Sequence, residues 1–141
     1  MLRLAATVAA FAVLLIAIPA AADSPGVYWD CQSAASRPST IDLNCTHADA
    51  FAARLSWKGN KARGLFGYPA CTLSGCDTVL IRAKFRFGRP SQTSAGYAYT
   101  QMRVRLLANK YHRHGQPKTS LYVLTCDVGQ GWIPRRVADP C

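Results

Sequence analysis

The chain has 141 residues, half of them hydrophobic, and sets 17 Lys and Arg against seven acidic residues for a net charge of +10. All seven acids are aspartate, which excludes chemistry built on a glutamate, and the length allows one domain with one core. The charge speaks about partners and not about fold: it favours anionic polymers, phospholipid head groups, acidic glycans or nucleic acid.

Met1-Leu2-Arg3 is a short positive start, and an apolar run over residues 4–18 follows it. Pro19 closes the run, and Ala20-Ala21-Ala22 supplies the small residues that a signal peptidase needs. Residues 1–22 therefore read as a cleavable signal-peptide helix, too short to span a bilayer, with the cut before Asp23. This assigns residues 23–141 to a single secreted domain. All six cysteines fall in that part, as expected for a small exported domain stapled by disulfides. Only Cys71 and Cys76 stand close enough in sequence to suggest a bond, which would close a small loop; the alternative is that each reaches a distant strand. Cys31 to Cys141 and Cys45 to Cys126 would tie both ends to the sheet. The spacings do not match a zinc site, and no metal or other cofactor is expected.

After the turn-like Asp23-Ser24-Pro25-Gly26, the aromatic pair Tyr28-Trp29 stands beside Cys31 as a packing plug. Residues 40–45 alternate, with Ile41, Leu43 and Cys45 on one face. Residues 48–57 have helical propensity. Yet Phe51, Ala53, Leu55 and Trp57 alternate, which predicts a strand. Residues 62–68 continue as another strand, with Gly64 and Gly67 weakening it or marking bulges.

Residues 78–107 hold the clearest pattern. Val79, Ile81, Ala83, Phe85 and Phe87 point one way and Arg82, Lys84 and Arg86 the other. Ala98, Thr100, Met102, Val104 and Leu106 then point one way, and Tyr97, Tyr99, Gln101, Arg103 and Arg105 the other. Period-two alternation marks half-buried strands, so one face is core and the other is Arg, Lys and Tyr. Residues 88–95 read as the connecting loop. That pairing places Arg86 opposite Tyr97, Lys84 opposite Tyr99 and Arg82 opposite Gln101. Exposed cation–aromatic pairs of this kind contribute about 0.5–1 kcal/mol each.

The motifs Ile41-x-Leu43-x-Cys45, Leu55-x-Trp57 and Ala62-x-Gly64, the Cys71/Cys76 loop and the alternating strand after it resemble a group of short secreted proteins of actinobacteria. The resemblance covers residues 38–107. It implies export, a small β domain and disulfide bonding of Cys45, Cys71 and Cys76, and it lends no catalytic residue. Cys31, Cys126, Cys141 and the basic loop over residues 110–118 depart from it.

That loop carries Lys110, Tyr111, His112, Arg113, His114 and Lys118. A last strand over residues 120–126 is apolar on both faces and so belongs inside a sheet. The tail is punctuated by Gly and Pro. The whole predicts an all-β fold, a small disulfide-stapled β-sandwich or barrel after the signal-peptide helix.

A ribonuclease could use His47 with His112 or His114 as acid and base, and Lys110 or Lys118 to steady a phosphate. No Gly-x-Ser-x-Gly elbow, carboxylate pair or Gly-rich phosphate loop is present, so the balance leans against an enzyme. The expected function is a non-enzymatic module. Its basic face, Arg82, Lys84, Arg86, Tyr97, Tyr99, Arg103 and Arg105, with the loop beside it, would hold an anionic polymer, lipid head group or envelope component. An extracellular address makes nucleic acid a poor fit. A third reading is an exported inhibitor that offers the Cys71/Cys76 loop to a protein partner. The plain alternative to all of these is a solvated surface whose charges stop sheet edges from pairing.

Overall fold

Alternation in the sequence becomes sheet throughout the computed structural model, which describes residues 24–46 and 50–136. The expected leader and Cys141 lie outside the described residues, as does His47. The chain is all-β, with no helix among the described residues. The strands are β1 (Val27–Tyr28), β2 (Ala34–Ala35), β3 (Ile41–Asp42), β4 (Phe51–Lys58), β5 (Lys61–Thr72), β6 (Gly75–Thr93), β7 (Gly96–Leu106), β8 (Thr119–Leu124) and β9 (Trp132–Pro134).

β3 to β9 form one antiparallel sheet in chain order, and β1 with β2 forms a separate small hairpin. The sheet curls until its two edges meet. Asn44, just past β3, bridges Gly131, just before β9, and Trp132 N–H donates to the Leu43 carbonyl at 2.7 Å. The result is barrel-like, and its inside is the core. Only glycine suits position 131: its φ is +76°, and a Cβ there would stand 2.6 Å from the Leu43 carbonyl oxygen.

The inward faces follow the expected parity. Ile81, Ala83, Phe85 and Phe87 of β6 are buried, as are Met102, Val104 and Leu106 of β7, while Arg82, Lys84, Arg86, Arg103 and Arg105 are exposed. Phe87 gathers an aromatic cluster, with Trp57 at 5.0 Å and Trp132 at 6.1 Å between ring centroids. Trp132 is held by its indole N–H, which donates to the Tyr28 carbonyl at 2.9 Å. The β1–β2 hairpin is thereby fixed to the barrel. Gly26, just before β1, adds a second tie by pairing with β7 through bonds to Tyr97 and Tyr99.

Three expectations are corrected. The alternation of Phe51, Ala53, Leu55 and Trp57 is broken, because β4 has a bulge between Ala53 and Ser56. Ala52 is buried in place of Ala53, Leu55 keeps its expected side, and Phe51 lies over Gly67 of β5. The bulge fits against Gly64, where a Cβ would stand 2.5 Å from the Ala53 carbonyl oxygen. Second, residues 88–95 are not a loop. β6 runs on to Thr93, and a tight turn at Ser94-Ala95 starts β7 at Gly96. Thr93 fixes this turn by donating to the Gly96 carbonyl and accepting from Ala95 N–H. Arg86 therefore faces Arg103, and Lys84 faces Arg105; neither faces a tyrosine.

Third, Cys31 bonds to Cys45, which overturns the expected Cys31–Cys141 and Cys45–Cys126 bridges. The reason is local. Asp42 N–H donates to the Trp29 carbonyl at 2.7 Å, drawing the β1–β2 turn onto β3 and bringing the two Cα atoms to 5.4 Å. The expected Cys71–Cys76 bond is present and closes the tip of the β5–β6 ribbon. Cys126 is also disulfide-bonded.

Candidate functional site

The outer face of the sheet is built by rows of residues directly opposite one another across the strands. Because β5, β6 and β7 are all in phase, every second residue of each adds to one surface. One row runs Lys61, Arg86, Arg103 and Leu121 from β5 to β8, and Arg135 follows β9 beside it, its N–H donating to the Leu121 carbonyl at 2.9 Å. The next row runs Arg63, Lys84, Arg105 and Thr119, and the one after it holds Leu65 and Arg82. These cations are exposed.

Facing residues on one side of an antiparallel pair hold their Cβ atoms about 4.5–5.5 Å apart. Like charges therefore meet directly at Lys61 with Arg86, Arg86 with Arg103, Arg63 with Lys84, and Lys84 with Arg105. Among the described residues none of these cations has an ion-pair partner. The described aspartates are elsewhere. Asp30 and Asp127 brace turns, Asp42 faces Phe51, and Asp77 faces Ala70 on the ribbon. The Asp30 carboxyl is held below the usual carboxylate range, chiefly by the N–H of Ser33.

The structure gathers Arg82, Lys84, Arg86, Arg103 and Arg105 on this surface and separates the two tyrosines from them. Tyr97 faces Gln92, further along the ribbon, and is exposed. Tyr99 faces Pro90 and packs half-buried against the core, its ring 6.0 Å from that of Phe87. The basic loop leaves from the end of β7. Lys110, Tyr111, His112, His114 and Lys118 are exposed, whereas Arg113 is half-buried. The Arg113 carbonyl accepts the Tyr68 hydroxyl at 2.6 Å, which anchors the loop over one end of the barrel. The Lys118 carbonyl accepts the N–H of Leu106, so that end of the loop lies next to Arg105.

Lys61, Arg63 and Arg135 were missed by reasoning from sequence. The first two carry the same signal as β6, alternating with Ala62 and Phe66, but Gly64 and Gly67 weaken the pattern. His112 lies edge-on to Tyr111 at 5.4 Å and makes no acid–base pair with another histidine among the described residues. No cluster of three or more His, Cys, Asp or Glu occurs among those residues. Comparison with protein-family models, curated proteins and solved structures finds no match to this chain, so the function is argued from this geometry.

Proposed function

We propose that the protein is an exported, non-enzymatic module that holds an anionic polymer of the envelope or its surroundings on the outer face of β5, β6 and β7. One observation carries this reading. Facing like charges destabilise a sheet, and here several such pairs sit side by side with no carboxylate among the described residues to offset them. Edge protection does not account for them, since β5, β6 and β7 each have a neighbour on both sides. A polyanion laid across the rows would turn the repulsion into attraction and release counterions as it bound. The leader and the disulfides support export, since such bonds persist in oxidising compartments.

The test is retention of the disulfide-intact chain on heparin and phosphocellulose across a salt gradient. Retention should fall steeply with ionic strength, and Arg86→Gln with Arg103→Gln should elute at lower salt while melting no earlier. Elution of this double variant at the same salt as the wild type would refute the proposal.

A second reading rests on Leu73. This apolar side chain is fully exposed at the turn of the disulfide-closed ribbon, a rigid presentation suited to a protein partner's pocket. Binding there would survive high salt and be lost with Leu73→Ser.

A further inference from the structure

A shallow hollow of about 230 Å³ opens in the cationic face, lined by Arg86, Phe87, Gly88, Gln101, Arg103 and Leu121. It lies where the Arg86–Arg103 pair gives way to the next facing pair, Gly88 and Gln101. We infer that this hollow is a subsite for one tetrahedral oxyanion, a phosphate or sulfate group carried by the polymer; this rests on the reading of the cationic face given above.

Three independent features meet there. The first is an unused donor. The Gln101 side-chain nitrogen is buried and has no hydrogen-bond partner. Buried donors are nearly always satisfied, because desolvating one without return destabilises the fold. An amide retained in that state beside a hollow is short of an acceptor.

The second feature is charge. Arg86 and Arg103 face each other across the ladder and share the wall of the hollow, with no counterion among the described residues. Each guanidinium offers a planar fork of N–H groups suited to oxyanions. The third is room. Gly88 has no positive φ, so its backbone does not require glycine, and a Cβ there would meet nothing within 4 Å. What the missing side chain preserves is open space on the floor.

The stereochemistry selects the ligand class. The donors come from two strands, Arg86 on β6 and Gln101 with Arg103 on β7. A carboxylate presents its two oxygens in one plane and is satisfied by one fork. A phosphate or sulfate group presents three or more oxygens in different directions and can accept from both guanidinium forks, and from the Gln101 amide once that side chain turns outward from its buried position. Leu121 gives the wall an uncharged side against which the carrier of that group can rest.

The experiment titrates the disulfide-intact chain with inorganic phosphate, sulfate and acetate, at constant ionic strength. It reads the side-chain amide signal of Gln101 by NMR, together with the melting temperature. Phosphate or sulfate should shift that signal saturably, and acetate should not. The stronger of the two ions identifies which ester the polymer carries.

Gly88→Val fills the hollow and leaves every charge in place. It should weaken binding of the small ion by at least about tenfold, and it should lower the salt needed to elute the chain from heparin and phosphocellulose by less than Arg86→Gln with Arg103→Gln does, since every cation remains. Gln101→Leu removes the unsatisfied donor. It should raise the melting temperature and weaken the ion, a combination that a purely structural glutamine would not give. It also serves if Gly88→Val fails to fold.

No saturable shift with either ion, acetate binding equal to phosphate, or undiminished ion binding in both variants would overturn the subsite. If the wild type still shows salt-sensitive retention in those cases, the cationic face stands without it. If retention is also absent, both readings fall.

Discussion

Arg103→Glu gives the most direct measurement of what the cationic face costs the free protein. Arg103 faces Arg86 on the β6 side and Leu121 on the β8 side. In the substituted protein the Arg86 pair changes from repulsive to attractive. A facing pair contributes about 0.2–1 kcal/mol of either sign, so the swing is about 0.4–2 kcal/mol in favour of the fold. For a domain of this size that corresponds to a rise in Tm of about 2–8 °C. The gain should be largest at low salt and shrink as added salt screens the charges, while the wild type is itself stabilised by the same salt. Melting curves of both proteins at low and high ionic strength read the difference, and heparin retention of the same samples reads the binding. Stability should rise as affinity falls. A variant that melts earlier at low salt would show that Arg103 makes a stabilising contact, and the argument from opposed charges would fail.

Core and surface can be told apart on one strand: Val104→Asp should prevent folding, because Val104 is buried, and Arg105→Asp should fold and melt within a few degrees of the wild type or above it. Circular dichroism of the pair decides, and the reverse pattern would invert the faces of β7. Removing Cys31–Cys45, which closes a separation of 14 residues, should cost about 3 kcal/mol by denaturant titration. Removing Cys71–Cys76 should cost less, since it spans only five residues and Thr72 already pairs with Gly75. The opposite order would sink the loop-closure account. Asp30 titrates lower in the folded chain than when unfolded, so its contribution is present above about pH 4 and is lost as the pH falls below that. Asp30→Ala should therefore flatten the acid side of a stability–pH profile, and an unchanged slope would remove Asp30 from the account.

The strands most readable in the sequence are those where charged and apolar residues alternate without interruption, and on both arms of the central ribbon the cations face outward as expected, while Tyr99 packs half-buried against the core. Their register was not readable. Gly88, Pro90 and Ser91 are loop-forming residues by composition, yet the strand continues through them to pair Thr93 with Gly96. The connecting turn is set by Thr93, whose hydroxyl satisfies the backbone locally. That single shift replaced the expected Arg86–Tyr97 and Lys84–Tyr99 pairs with Arg86–Arg103 and Lys84–Arg105, and so changed the meaning of the site. The β4 bulge left no mark in β4 itself, because its cause is the space over Gly64 on the neighbouring strand. β1, β2 and β9 are two or three residues long, too short for any period to show. The Cys31–Cys45 bond depends on where β3 meets the first hairpin, which is a tertiary fact. Gln101 was placed on the outer face, but a buried, unpartnered amide can be recognised only once its neighbours are in position.

The junction between Asn44 and Gly131 has a further consequence. From β4 to β8 the seams are ladders of five or more paired residues, whereas this one rests on a few backbone bonds and a glycine. Thermal motion should part the wall there first, swinging β9 outward and wetting Trp132 while the β5–β7 panel stays shut. Amide protons at Trp132 and Cys45 should then exchange early and those of Phe85 and Val104 last, so the molecule would breathe along one side without ever loosening the charged panel on the other.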